Sequence, residues 1–314
     1  MKAKFQRQKA KIIVVLAMLV LTSCGGVKPA NVANTTGSQP VVTTRVVTDD
    51  LGRQVTIPVK ITRVVSTAPS VTENIFAVGA GDRLVGVTTF CNYPEQAKSI
   101  AKIGDTMTPN MESIIALKPD VVFVSTASQI EAFMKTLEAN GIAVYVTNPT
   151  SLADVFKNLR QLASVFGTTE TAEKSISELE GRVGFVSHSV SNYLASHKPE
   201  RVFVQISNEP LFTVGRDSFL NSIIEQAGGK SVTTDVASAY PKLSKETASA
   251  LNPDAIVLSE SEDNKEPNEV FKNSPAVKNG RVYKVNADLL SRPGPRLVDA
   301  LEQIARDLHP EKFK

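Results

Sequence analysis

Chemistry in this 314-residue chain would have to come from few reactive side chains, because it has two Cys, three His and no Trp. His188, His197 and His309 are scattered and lack metal-ligand spacing, so each reads as a solvated helix residue rather than a ligand. Gly79-Ala80-Gly81 begins like a dinucleotide fingerprint. Its third Gly is missing, and it follows a helix and precedes a strand, the reverse of what phosphate binding needs. Gly229-Lys230-Ser231 looks like the end of a phosphate loop, but the Gly required five residues earlier is Ile224. Ser99-Ile100-Ala101-Lys102 fits Ser-x-x-Lys without an accompanying Lys-Thr-Gly. Cys91 reads as a small packing residue. With no catalytic constellation and no metal cluster in the pattern, the reading is not an enzyme but a binding protein.

The elements that would position a binding site are legible. Strand and helix signals alternate from residue 63 onward. Strands are expected at 63–66, 84–88, 121–124 and 142–146, and helices at 70–79, 111–117 and 129–140. Ser70-Val71-Thr72-Glu73 has the form of a capping box. Such alternation implies parallel sheets covered by helices, an α/β fold. Ala116-Leu117-Lys118-Pro119-Asp120 recurs as Ala250-Leu251-Asn252-Pro253-Asp254, each time followed by a buried-strand pattern, at an offset of 134. Two similar lobes follow, at 44–166 and 199–314. The segment 167–198 between them has no Pro before residue 199 and repeats apolar residues at three- and four-residue steps, which predicts one long rigid helix joining the lobes. Glu112 and Glu246 each stand four residues before their copy of the repeat. They fit either two solvated helix glutamates or a pair of carboxylates facing a two-fold symmetric partner.

The first residues carry an address. Lys2, Lys4, Arg7, Lys9 and Lys11 precede an unbroken apolar run, 12–21, too short for a bilayer span. Leu21-Thr22-Ser23-Cys24 resembles a bacterial lipobox, which implies a signal peptide over 1–23, lipidation of Cys24 and a membrane anchor on the extracytoplasmic side, in a periplasm or at the outer cell surface. Residues 24–43 are rich in Gly, Ser, Thr, Asn and Pro and read as a tether. The chain's formal charge of +3 comes from 35 basic and 32 acidic residues. Removing 1–23 takes away five of the basic residues and leaves the mature chain slightly acidic, so nothing in its charge favours nucleic acid.

Together and in order, several segments resemble the class III periplasmic binding proteins, the solute receptors of ABC importers for vitamin B12 and ferric siderophores. They are Asp50-Leu51-Gly52-Arg53, Ser66 through Glu73, Asn92-Tyr93-Pro94, the two Ala-Leu-x-Pro-Asp repeats and Arg292-Pro293-Gly294-Pro295-Arg296. The segments 201–205 and 210–215 look most like the vitamin B12-binding branch. The resemblance implies a monomeric receptor with its ligand in a cleft between two lobes. The implied pocket holds Ser70, Phe90, Thr106 and Met107 from the first lobe. From the second it takes Phe212, Tyr240, Asp288, Leu289, Leu290, Ser291 and Arg292, with Asp288 accepting from ligand amides and Arg292 donating. The implied transported ligand is cobalamin or another corrinoid. Where relatives of that branch carry Trp, this chain has Thr106, Ser125 and Tyr240, which keeps ferric siderophore and heme as alternatives. The resemblance further implies that Glu112 and Glu246 dock on the permease dimer of an importer with its ATPase subunits, with Glu73 and Glu225 as weaker alternatives.

Overall fold

In a computed structural model, residues 43–126 and 130–313 are described. The leader, Cys24 and nearly all of the tether lie outside them.

The first lobe opens with a hairpin of β1 (Thr44–Thr48) and β2 (Gln54–Pro58), paired antiparallel from Thr48–Gln54 outward. Asp49 closes its turn: one carboxylate oxygen accepts from the backbone N–H of Leu51 and Arg53, and the other meets the Arg53 guanidinium at 2.7 Å. The lobe continues through β3 (Val64–Ser66), α1 (Pro69–Ala77), β4 (Leu84–Val87), α2 (Met111–Ala116), β5 (Val121–Ser125), α3 (Ile130–Ala139), β6 (Ala143–Thr147) and α4 (Leu152–Phe166). Its sheet is parallel in the order β4-β3-β5-β6. Every residue of β5 is buried, as expected of a β-branched run covered on both faces. Helix α4 has Ser151 as N-cap, accepting from the Asp154 N–H, and stops at Gly167, whose φ of 69° suits a residue without a Cβ.

Helix α5 (Thr169–Leu194) is the expected strut, 26 residues and about 39 Å long. Arg160 of α4 reaches Glu173 and Glu180 on it at 2.7 and 2.8 Å. Arg182 of α5 reaches Asp299 and Glu302 in the second lobe at 2.7 and 2.9 Å. These half-exposed pairs add little stability each, yet they fix the helix against both lobes.

The second lobe runs β7 (Glu200–Ser207), β8 (Phe212–Thr213), α6 (Phe219–Gln226), β9 (Gly229–Ser231), α7 (Lys245–Leu251), β10 (Ala255–Glu260), α8 (Pro275–Lys278), β11 (Val282–Asn286), α9 (Ala287–Leu290) and α10 (Leu297–Leu308). Strands β9-β7-β10-β11 are parallel in the same order as the first lobe, and β8 adds an antiparallel edge. Gly229-Lys230-Ser231 is therefore a strand and not a phosphate loop. One continuous core joins the lobes, from Val64 and Phe123 through Ile176 and Val186 of α5 to Val257 and Leu301.

Two sequence expectations change, and a third, the packing of Cys91, holds. Helix α1 begins with Pro69 after Ala68 and has no side-chain cap, so Ser70 and Glu73 form no capping box. His309 is fully buried, tilted against Tyr193 with ring centroids 4.3 Å apart, because the chain turns inward after α10. Cys91 does pack inside, with its sulfur 3.2 Å from the Thr72 hydroxyl and 3.1 Å from that of Thr88.

Candidate functional site

In both parallel sheets the strands end on the side where the lobes face each other, and the loops that follow them line a cleft of about 800 Å3. That is the place where open α/β sheets present ligand sites, and the volume is near the top of the range for small-molecule pockets. Ser70 sits in the first turn of α1, after β3. Phe90 follows β4, Thr106 lies in the loop before α2, Ser125 ends β5 and Asn148 follows β6. Across from them are Ile206 at the end of β7, Asp217 and Ser218 at the start of α6, Tyr240 before α7, Ser259 near the end of β10, and Asp288, Leu290, Ser291 and Arg292 after β11.

Of the site residues expected from sequence, Ser70, Phe90, Thr106, Tyr240, Asp288, Leu290, Ser291 and Arg292 line this cleft. Met107, Phe212 and Leu289 do not belong to its lining. Met107 is turned outward, half-exposed, in the turn that Asp105 builds by accepting from the N–H groups of Met107 and Thr108. Phe212 is held in β8, registered opposite Ser207. Leu289 is partly buried against the core, whereas its neighbour Leu290 is a core residue, 1% exposed, that also borders the cleft. Sequence reasoning did not single out Asn148, Asp217, Ser218, Phe219 or Ser259. The usable signal was that each follows a legible strand or opens a helix after one.

Two aromatic surfaces are uncovered in the cleft: Phe90 is 58% exposed and Tyr240 42%. Desolvation raises the Tyr240 phenol above its ordinary range, against a smaller lowering by the hydrogen bond with Ser218.

Arg292 sits differently from the expected ligand donor. Its guanidinium is 8% exposed and donates to Glu73 and Asn92, both at 2.8 Å, while meeting Asp288 at 2.6 Å. Asn92 also donates to the other Asp288 oxygen at 3.0 Å. Arg296 grips both oxygens of Glu73 at 2.8 and 2.6 Å and lies 4.2 Å over the Tyr93 ring. Glu73 is 3% exposed. Its carboxylate, from the first lobe, is the shared anion of two arginines from the second, which leaves no face of it for docking a transporter. The two lobes are thus latched along one side of the cleft by a buried, multiply bonded ion pair.

The repeat glutamates are exposed, one on each lobe. Glu112 is the second residue of α2, behind the N-cap Asn110, and Glu246 is the second residue of α7, behind the N-cap Ser244. Acids there suit the positive end of a helix by themselves. A hydrogen bond from its own backbone N–H, then one from Ser244, holds the Glu246 carboxyl below its usual range. Glu225 is exposed near the end of α6. Among the described residues no three His, Cys, Asp or Glu side chains converge as a metal site, and no helix is long and apolar enough to cross a membrane.

The periplasmic binding protein family model matches residues 64–289. An uncharacterized ABC transporter substrate-binding lipoprotein of Bacillus subtilis, YvrC, is 32% identical over 95% of this chain and 96% of its own. The crystal structure of the periplasmic vitamin B12 binding protein BtuF of Vibrio cholerae superposes with a TM-score of 0.69 at 28% identity, covering 81% of this chain and 98% of that one. A periplasmic heme binding protein from Pseudomonas aeruginosa gives a TM-score of 0.72 at 25% identity, over 80% and 93%. Matched across most of its length, and built as two lobes around a cleft, the chain belongs to the periplasmic binding protein family, whose members bind solutes for transport and are not enzymes.

Proposed function

We propose that this protein is a lipid-anchored receptor that captures a corrinoid between its lobes and hands it to an ABC importer. The observation that carries the reading is the pair Phe90 and Tyr240. Large aromatic surfaces left open to solvent mark binding sites, and here one comes from each lobe into a single concavity wide enough for a bulky macrocycle. Serine, threonine and asparagine groups at the strand ends supply the donors and acceptors that amide side arms need. The vitamin B12 binding of the Vibrio cholerae relative supports the same ligand class. The heme binding protein of Pseudomonas aeruginosa makes heme the second reading.

The anchor is Cys24, after the leader 1–23, with 24–43 as tether and the remainder held outside the cytoplasm. Glu112 and Glu246 meet the two permease subunits, which steers the encounter and sets its register.

The test is binding to the full-length protein in neutral detergent. The chain has five Tyr and no Trp, and Tyr240 lines the cleft, so partial quenching of Tyr fluorescence that Tyr240→Phe removes reports ligand there. Cyanocobalamin or cobinamide at about a hundred times Kd stabilises a single-site receptor by about 2.7 kcal/mol, seen as a raised Tm. If hemin saturates the protein and corrinoids do not, the heme reading replaces this one. If neither they nor ferric siderophores bind, the receptor assignment fails.

A further inference from the structure

Among the described residues lining the cleft, Arg292 is the one cation, and its guanidinium is already held by Glu73, Asn92 and Asp288. Two acids share the lining. Asp288 is paired with Arg292, whereas Asp217 is exposed, accepts one backbone N–H from Ser238 at 3.3 Å and has no ion pair among the described residues. The cleft therefore carries an unneutralised negative charge and no free positive one.

Helix starts pull partly the other way, and Asp217 answers one of them. The first turns of α1 and α6 both border the cleft, and α1 has no side-chain cap. Their N–H groups and positive ends favour acceptors, anionic ones included, and at α1 no acid in the first turn offsets this. Asp217, directly before the Ser218 cap, offsets the positive end of α6 and offers an acceptor of its own. A group that both donates and accepts satisfies this mixture; a carboxylate only accepts, and beside Asp217 it meets like charge without a counter-ion.

We infer that the cleft selects uncharged or cationic, amide-rich ligands and rejects anionic ones, with Asp217 as the residue that sets this charge preference. The inference rests on the cleft being the ligand site, and deepens that reading by fixing the ligand's charge class. Polyanionic ferric catecholates and the carboxylates of heme fall on the rejected side.

A pair of probes on one macrocycle isolates charge from shape. Aquacyanocobinamide carries amide arms, and cobyrinic acid has the same corrin with those arms as carboxylates. Titrated against the full-length protein by Tyr quenching, the amide form binds at least about thirtyfold more tightly. Asp217→Asn narrows that ratio about tenfold, and added salt narrows it in the parent protein. Equal or tighter binding of cobyrinic acid overturns the inference, as does a ratio that Asp217→Asn leaves unchanged. Ferrioxamine B, a cationic chelate, and ferric enterobactin, an anionic one, separate this failure from that of the corrinoid reading. If no corrinoid binds but ferrioxamine B does and ferric enterobactin does not, the corrinoid reading falls and the charge rule stands. Preference for ferric enterobactin or hemin overturns the charge rule, and silence across the whole set overturns both.

Discussion

Lys118 and Asn252 hold the same left-handed backbone conformation, with φ of 48° and 42°, each at the end of a short helix and directly before a Pro-Asp turn. They are 134 residues apart and mark the same point in the two lobes. A left-handed φ disfavours side chains branched at Cβ and costs Gly nothing. Lys118→Gly and Asn252→Gly are therefore expected to stay within about 0.5 kcal/mol of the parent, while Lys118→Val and Asn252→Val each lose about 1–2 kcal/mol. Urea midpoints with unchanged slopes are the check.

The aspartates of the two turns are not equally committed. Asp120 accepts from the Thr62 N–H at 2.7 Å, the Thr62 hydroxyl at 3.1 Å and the Arg63 N–H at 2.9 Å, whereas Asp254 accepts from the Arg201 N–H at 3.2 Å. Asp120→Ala should cost about 1–2 kcal/mol and Asp254→Ala about 0.5 kcal/mol. Equal losses would show that the turn's backbone alone sets its stability.

Removing the latch has a larger effect. Glu73→Ala leaves Arg292 and Arg296 without their shared counter-ion, and breaking a buried pair from one side costs about 3–5 kcal/mol. Because Arg292 also holds Asp288 at the cleft, ligand affinity should fall along with the urea midpoint. A variant that loses stability but binds unchanged would separate the latch from the cleft wall.

Docking predicts the opposite separation. Glu112→Ala combined with Glu246→Ala should abolish stimulation of the importer's ATPase and leave ligand titrations unchanged, since neither residue lines the cleft. Loss of ligand binding in that double variant would refute the assignment of these residues to the transporter.

Burial holds His309 below its ordinary value, against an opposing pull from Glu311. The folded state thus resists a proton that the unfolded chain takes up near pH 6.5. Below that value the unfolded state binds more protons, so stability falls as pH drops from 7 toward 5. His309→Gln should flatten that part of the Tm-against-pH curve. An unchanged slope would assign the acid sensitivity to other groups.

Much of the fold was legible because it is written in short-range patterns. The buried run at 121–124, the apolar steps of the strut and the paired Pro-Asp turns each declare an element within a dozen residues, and the strand-to-helix alternation then implies the cleft. What the sequence determined by itself was this list of elements and its duplication. The tertiary structure decided the site's chemistry. Glu73 looks like a helix cap in sequence, yet its partners are 219 and 223 residues away, and Asn92 meets Asp288 across 196. Thr106 faces the cleft and Met107 turns outward, although one peptide bond separates them. Local periodicity reports which face of an element is apolar; which polar groups converge, and which carboxylate is left without a counter-ion, depends on how two lobes pack across a helix between them.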